Sequence, residues 1–234
     1  MWNKGLSYRE RHGLGHAGMN KGINTNVDDT LHTDTNASKH SLGLVFFPAF
    51  DWKISETHPE RQERLLYTRD QIVEEGLLDI PNIVEYNPIV ADWDTIERVH
   101  VGAPDLESWV TEAHRVSAGG AIAAADAVMR GEVDRAFALV RPPGHHAMSM
   151  VHGIRGFCTI NIEAVMIQHM RQTYGIKRVA VVDTDVHHGD GSQDVFYHDP
   201  DTLYISFHQD GRTLYPGTGF MLSLIHISEP TRLQ

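Results

Sequence analysis

The segment RVAVVDTDVHHGDG, residues 178–191, predicts a strand and a polar cluster at its end. Its first half is a run of apolar residues rich in valine, which is typical of a buried strand. Its second half crowds three aspartates and two histidines together, although charged groups are costly to bury without partners. Side chains two positions apart on an extended chain point the same way. We therefore expect Asp183, Asp185 and His187 to lie on one side of the chain.

An aspartate and a histidine two residues apart can hold a divalent metal ion. This donor pair suits zinc, and also iron, cobalt or manganese. The alternative is a strand end capped by hydrogen-bonded Asp and His, which is common in loops. A second cluster, RPPGHHA at 141–147, places His145 and His146 after another strand. Histidine has the pKa of a base for a metal-activated water, and Asp183 and Asp190 could orient these imidazoles.

Outward from these clusters, apolar strands alternate with helical patterns. The pattern predicts an α/β fold with a mostly parallel sheet and helices on both faces, whose polar strand ends share one mouth. Asn161 is a candidate N-cap and Gly175 a candidate helix end. The predicted strands are 42–50, 136–140, 178–184 and 202–207, with a further strand and loop at 82–92. The predicted helices are 58–79, 94–100, 108–130 and 161–175.

Composition narrows the class of protein. The chain has 234 residues and a formal net charge of −11, which disfavours a nucleic-acid binder. Cys158 is the only cysteine, so no internal disulfide forms, which fits a reducing compartment such as the cytoplasm. The first ten residues lack the apolar stretch of a signal peptide, and no apolar run is long enough to span a bilayer. Residues 1–41 are polar and without periodicity, and we expect a flexible leader.

Several segments together resemble the histone deacetylase family, which includes bacterial deacetylase-like amidohydrolases and acetylpolyamine amidohydrolases. The resemblance covers about residues 42–220, and its Arg-Pro-Pro form is similar to the class II-type branch. It implies an arginase/deacetylase-like fold and a zinc-dependent hydrolase that removes acyl groups from lysine side chains or polyamines. The carrying segments are His58-Pro59-Glu60, VH at 99–100, GGAIAAADAVMRGE at 119–132, RPPGHHA at 141–147, GFCTIN at 156–161, DTDVHHGDG at 183–191 and LYPGTG at 214–219.

The resemblance also implies a role for each matching position. Asp185 and His187 would bind the catalytic zinc, and His146 would be the general base. His145 would help to hold water and substrate, while Asp183 and Asp190 would hydrogen-bond the far nitrogens of His145 and His146 respectively.

Tunnel and potassium sites are implied in the same way. Gly156, Phe157 and Tyr215 would line a narrow tunnel for an acyl-lysine-like chain. A potassium ion would be held by Asp183, Asp185, His187, Ser206 and Phe207, and a second one by Phe196, Asp199 and Thr202. Asp105 lies near the position where the family grips the substrate backbone, and His58, His100 and His208 are interpreted as structural. On spacing alone, Phe157 and Tyr215 could equally be core aromatics, and Ser206 could cap its strand.

The family pattern ends at about Phe220. The segment MLSLIHISEPTRLQ, 221–234, resembles a translated sequencing adaptor, so we interpret it as a non-native tail. Residues 42–220 would then be the N-terminal portion of a catalytic domain incomplete at its C-terminus. Its third zinc ligand, an aspartate, and its oxyanion donor, usually a tyrosine, would lie downstream. We expect the chain as written to be inactive.

Two other functions stay open. An arginase-like dimanganese ureohydrolase would place an aspartate two residues after His187, but Gly189 stands there and the aspartate is Asp190. A non-catalytic acyl-lysine binder is the other alternative. The sequence leaves the oligomeric state undetermined.

Overall fold

The computed structural model describes residues 40–102 and 104–220. Almost all of the predicted leader, 1–41, and the whole predicted tail, 221–234, lie outside the described residues. The strands are β1 (Leu42–Phe47), β2 (Ile83–Tyr86), β3 (Val101–Gly102), β4 (Arg135–Val140), β5 (Met150–Val151), β6 (Val179–Asp183) and β7 (Thr202–Ser206). The helices are α1 (Gln62–Glu74), a 3-10 turn (Leu77–Asp79), α2 (Trp93–Glu97), α3 (Glu112–Met129), α4 (Ile162–Tyr174) and α5 (Asp190–Phe196).

The strands pair in parallel, as the alternation of strands and helices predicts. β1 lies between β2 and β4, and Leu42 pairs with both Ile83 and Arg135. β6 pairs with β7, so that Asp183 lies beside Ser206 at the carboxyl ends of both strands. The short strands β3 and β5 form a third parallel pair. The predicted α/β class with a parallel sheet is confirmed.

Helices cover both faces of the β2–β1–β4 sheet. Val45 is fully buried and packs with Ala123 and Ala124 of α3 on one face. On the other face, Arg69 of α1 lies over the Phe46 ring, 5.0 Å from its centroid. Neighbouring residues of a strand point to opposite faces, which is why Val45 and Phe46 contact different helices.

Helix ends depend on local capping. Asn161 accepts a hydrogen bond from the Ala164 amide at 2.9 Å, and Gly175 ends α4 with φ +66°, as the sequence predicts. The helix predicted from residue 108 begins instead at Glu112, because Thr111 and His114 form a reciprocal cap at its start.

The sequence patterns did not predict three short elements, β3, β5 and α5. Over the described part of the chain, no helix is long and apolar enough to cross a membrane.

A fully buried arginine connects the loop after β1 to the end of β4. Arg141 donates from Nε to Glu60 Oε1 at 2.7 Å and from Nη1 to the carbonyls of Pro48 and Ala49 at 2.7 and 2.9 Å. It also donates to the Trp52 carbonyl at 3.2 Å and lies over the Trp52 ring. A guanidinium is tolerated without water only when its donors are paired in this way. These contacts hold Arg141 in place, and Arg141 is the first residue of the loop that carries His145 and His146.

His100 fixes a second buried junction. Its Nδ1 hydrogen-bonds the Met148 carbonyl at 2.9 Å, and its Nε2 accepts the Asn161 amide at 2.8 Å. Burial lowers its pKa to about 4, because the charged imidazole would lose its hydration. His100 is therefore a neutral, structural side chain, in agreement with its interpretation from the sequence.

Candidate metal and catalytic site

The site is assembled from loops that follow the carboxyl ends of parallel strands. β4 ends at Val140 and leads to His145 and His146, while β6 ends at Asp183 and leads to Asp185 and His187. Parallel strands bring such loops to one edge of a sheet. Although β4 and β6 belong to different sheets, the loops that follow them meet: His145 Nδ1 lies 2.9 Å from Asp183 Oδ2.

The first histidine–aspartate pair is His145 with Asp183. His145 Nδ1 lies 2.9 Å from Asp183 Oδ2, and both side chains are largely buried. The Tyr204 hydroxyl donates to the same Oδ2 at 2.8 Å, and the Asp185 amide donates to Oδ1 at 3.1 Å. Burial lowers the pKa of His145, but the hydrogen bond to Asp183 and its negative charge outweigh burial, so the net pKa of His145 is raised. The His145 imidazole therefore takes up its second proton more readily than an ordinary histidine.

The second pair is His146 with Asp190. His146 Nδ1 lies 2.9 Å from Asp190 Oδ1, and both side chains are buried. The Arg155 guanidinium donates to the other oxygen, Oδ2. The His145 and His146 rings lie side by side, with centroids 4.0 Å apart. Each imidazole thus has Nδ1 engaged by a carboxylate, which is the pairing that the resemblance implies and which leaves Nε2 for other chemistry.

Asp185 and His187 converge next to these pairs. His187 donates its amide to Asp185 Oδ1 at 2.8 Å, and His187 Nδ1 lies 2.9 Å from the same oxygen. Both side chains are partly solvent-exposed, and the His187 ring centroid is 6.0 Å from that of His146. A carboxylate and an imidazole this close can serve one metal ion, and the donor types suit zinc. Within residues 40–102 and 104–220, no group of three His, Cys, Asp or Glu side chains is arranged to hold a metal.

Hydrogen bonds keep the site carboxylates ionised. Burial alone would raise the pKa values of Asp183, Asp185 and Asp190. Donors facing each carboxylate reverse this effect and hold each pKa below its usual range: His145 for Asp183, the His187 amide and ring for Asp185, and His146 with Arg155 for Asp190. The site is therefore a cluster of negative charges beside imidazoles, which favours a bound cation.

A four-residue turn forms one wall of the site. Arg155 and Cys158 exchange two backbone hydrogen bonds of 2.8 Å around Gly156 and Phe157. Both central residues have positive φ, +50° and +72°, which is typical of a tight type I′ turn and rare for a phenylalanine. The Phe157 ring lies edge-on to His58, with centroids 4.4 Å apart. The turn therefore presents an exposed aromatic side chain beside His58, while its Gly156 packs on His146.

Tyr215 packs against His146 and His187. Its ring is 5.0 Å from that of His146 and 6.3 Å from that of His187. A Cβ added at Gly156 would lie 2.3 Å from His146 Cδ2 and 2.9 Å from Tyr215 Cε1, so the turn packs closely on both rings. Gly156, Phe157 and Tyr215 thus border the histidine cluster.

The residues of the first predicted potassium site lie at the paired ends of β6 and β7. The Phe207 amide donates to the Asp183 carbonyl at 2.9 Å, and Ser206 Oγ lies 2.8 Å from His208 Nδ1. In the second predicted site, Asp199 accepts Arg171 and Thr202 at 2.7 Å each. The Arg171 guanidinium therefore already supplies a positive charge to this carboxylate.

Sequence reasoning missed two residues of the site. Tyr204 would be interpreted as a core aromatic of β7, yet its hydroxyl donates to Asp183 and, at 2.9 Å, to the Gly189 carbonyl. The side chain of Arg155 pairs with Asp190, which is 35 positions further along the chain, so no local sequence pattern indicates the pair. Asp105, considered as a substrate contact, accepts the Ser108 amide at 2.8 Å and so caps its own turn.

The chain is similar in sequence to deacetylases. The model of the histone deacetylase domain matches residues 105–228. A probable deacetylase of Archaeoglobus fulgidus is 40% identical over 197 residues, 76% of this chain and 54% of the relative. A polyamine deacetylase, HDAC10, of Mus musculus is 33% identical over 181 residues, 68% of this chain and 27% of the relative.

A solved structure agrees with the sequence relatives. The crystal structure of the HDA15 HD domain superposes with a TM-score of 0.66 at 30% identity, covering 76% of this chain and 57% of that chain. The chain spans about half the length of the first curated relatives that it matches, 54% and 57%.

Proposed function

The chain belongs to the histone deacetylase family, and from this premise we propose that it contributes to a zinc-dependent deacetylase that removes acyl groups from lysine side chains or polyamines. The observation that carries the proposal is the meeting of two carboxylate-paired imidazoles, His145 and His146, with the Asp185–His187 pair. The name of one relative, probable deacetylase, supports the reaction, and that of another, polyamine deacetylase, supports polyamines as one substrate class.

Asp185 and His187 would hold the zinc ion. They offer a carboxylate oxygen and an imidazole nitrogen, donor types that zinc binds, and the 2.9 Å hydrogen bond that now joins them would be replaced by bonds to the ion. Catalytic zinc normally takes three protein ligands, and we propose that the third is a carboxylate outside the described residues. Bound there, zinc would polarise the amide carbonyl and lower the pKa of a water molecule.

His146 would act as the general base. Asp190 engages Nδ1, so Nε2 is the nitrogen available to take a proton from the attacking water. The buried carboxylate stabilises the imidazolium that results. His145, with its raised pKa, would hold a proton beside the substrate, and the pair would return a proton to the leaving amine.

The border residues would bind the acyl chain. Tyr215 packs against His146, and Phe157 lies edge-on to His58 in the turn that contacts His146; these aromatic rings suit the aliphatic part of an acyl-lysine or an acetylpolyamine. A potassium ion at the ends of β6 and β7, involving Asp183, Ser206 and Phe207, would be structural. The cytoplasm is the compartment that we propose, because the single cysteine Cys158 is buried and unpaired.

Domain boundaries follow from the same proposal. Residues 42–220 would be the N-terminal portion of the catalytic domain, and the oxyanion donor would lie downstream with the third ligand. This is supported by the fraction of the relatives that the chain spans. On this proposal residues 1–234 alone turn over poorly.

The test uses the chain extended with its native downstream sequence, loaded with zinc. Hydrolysis of an acetyl-lysine peptide and of an N-acetylpolyamine is measured together with zinc per chain. His146→Ala should lower turnover by about 10²–10⁴-fold while zinc stays bound. His198→Ala, which replaces an exposed histidine beyond α5, is the control and should change neither quantity.

Two results would contradict the proposal. If His146→Ala loses zinc in proportion to activity, His146 is a ligand and not the base. If the wild-type protein binds acetyl-lysine without hydrolysing it, the chain belongs to a non-catalytic acyl-lysine binder.

A further inference from the structure

The Asp190 carboxylate is divided between two partners. Its Oδ1 faces His146 Nδ1 at 2.9 Å, and its Oδ2 accepts the guanidinium of Arg155. Asp190 is 6% exposed, so solvent contributes little to fixing its orientation. Arg155 is therefore the group that determines which oxygen of Asp190 is presented to His146.

Among the described residues, no arginine plays the equivalent part for His145. Apart from His145, the Asp183 carboxylate accepts the neutral Tyr204 hydroxyl and the Asp185 amide. A charge-assisted hydrogen bond is stronger and more directional than a neutral one. The carboxylate next to His146 is thus held by a cation, whereas the one next to His145 is held by neutral donors.

The backbone that carries Arg155 is itself fixed. The two hydrogen bonds between Arg155 and Cys158 close the turn, and Gly156 lies directly against the His146 ring. The side chain borders a cavity of about 200 Å³, lined by Ala147, Met148, Val151, Gly153, Ile154 and Thr159 among others. A change of side chain at this position has room to be accommodated, so it need not unfold the protein.

We propose that Arg155 is a positioning residue of the proposed deacetylase: by holding Oδ2 of Asp190, it fixes Oδ1 on His146 and so orients the imidazole for proton transfer. Arg155 acts on His146 through Asp190, with which its guanidinium is paired. The inference rests on the proposed function for its catalytic consequence, and on the hydrogen-bond geometry alone for its structural consequence.

The kinetic test is a double-mutant cycle in the complete, zinc-loaded protein with an acetyl-lysine peptide. Arg155→Met should lower kcat by about 10–100-fold with KM nearly unchanged, the usual effect of losing an orienting partner. Arg155→Lys should recover part of the loss, because it keeps the charge without the fork of donors. In an Asp190→Asn background, Arg155→Met should cost far less, because the carboxylate that it holds is gone.

The control is Arg98→Met, which removes a guanidinium paired with Asp94 on α2. It should leave kcat and KM unchanged. The proposal is overturned if Arg155→Met turns over like the wild type, if its loss appears in KM, or if the losses of Arg155→Met and Asp190→Asn multiply.

A second readout does not depend on turnover. In spectra of protein labelled with ¹⁵N-histidine, the hydrogen-bonded Nδ1–H signal of His146 is assigned by its absence in His146→Ala. Arg155→Met should shift or broaden this signal, and Arg98→Met should not. If the signal is unchanged in Arg155→Met, the inference is overturned. If the signal changes in Arg155→Met but the wild-type protein has no deacetylase activity, only the proposed function is refuted.

Discussion

Gly156→Ala should lower the proposed deacetylase turnover about 100-fold without unfolding the protein. A Cβ at this position would lie 2.3 Å from His146 Cδ2, whereas carbon atoms in contact ordinarily lie about 3.5–4.0 Å apart. The turn and the imidazole must therefore separate by more than about 1 Å. A displacement of about 1 Å at a reacting group can lower the rate about 10²-fold.

The backbone conformation contributes a smaller, separate cost. Gly156 has φ +50°, in the left-handed region, where an alanine costs roughly 1–2 kcal/mol. Gly131→Ala is the matched control, because Gly131 has φ +69° and a Cβ there meets nothing within 4 Å. Gly131→Ala should therefore show the backbone cost alone, whereas Gly156→Ala should lose more stability because of the clash and should also lose activity.

The assay combines acetyl-lysine hydrolysis with chemical denaturation for wild type, Gly156→Ala and Gly131→Ala. We expect turnover to fall about 100-fold in Gly156→Ala and to stay near wild type in Gly131→Ala. If Gly156→Ala keeps wild-type turnover, the turn does not constrain His146. If both variants lose turnover equally, the effect comes from stability and not from the contact.

Three further outcomes follow from the same geometry. Asp185→Asn should weaken zinc binding more than about 10-fold, measured by competition with a chelator, and unchanged affinity would exclude Asp185 as a ligand. In the unfolded chain His100 takes up a proton below about pH 6.5, whereas in the folded protein the pKa of His100 is about 4. Protonation therefore favours the unfolded state, and the free energy of unfolding of the wild type should fall as the pH falls from about 6.5 towards 4. His100→Gln should show a smaller fall between pH 7 and pH 5 in denaturant titrations, and an equal fall would contradict the assignment. Residues 1–234 alone should hold zinc poorly and hydrolyse acetyl-lysine at least about 10²-fold more slowly than the extended chain, because loss of an oxyanion donor alone lowers the rate by about that factor. Equal zinc content and equal turnover would contradict the proposed domain boundary at about residue 220.

Local spacing was sufficient for much of the fold. The valine-rich run before Asp183 predicted β6, and the ends of α4 at Asn161 and Gly175 were predicted because a cap depends on residues close in sequence. Asp185 and His187 do converge, but by another route: β6 ends at Asp183, and the Asp185 side chain closes a turn by accepting the His187 amide at 2.8 Å.

Contacts between distant segments could not be predicted in this way. The pairing of β3 with β5 joins Val101 to Met150, and two-residue strands carry no periodic pattern. The ion pair between Arg155 and Asp190 depends on the turn that ends at Cys158, including a phenylalanine at positive φ that no propensity favours. Such features depend on tertiary packing, which supplies the energy for a locally unfavourable conformation.

The buried Arg141 has a consequence for protein engineering. Its donors satisfy carbonyls in the loop after β1 and the carboxylate of Glu60, so the loop and the arginine are parts of one polar network. Transplanting the loop at 48–60 from a homologue would leave a desolvated guanidinium wherever the new backbone failed to present the same oxygens. Chimeras of this domain should therefore exchange residues 48–60 together with position 141, as one unit of recombination.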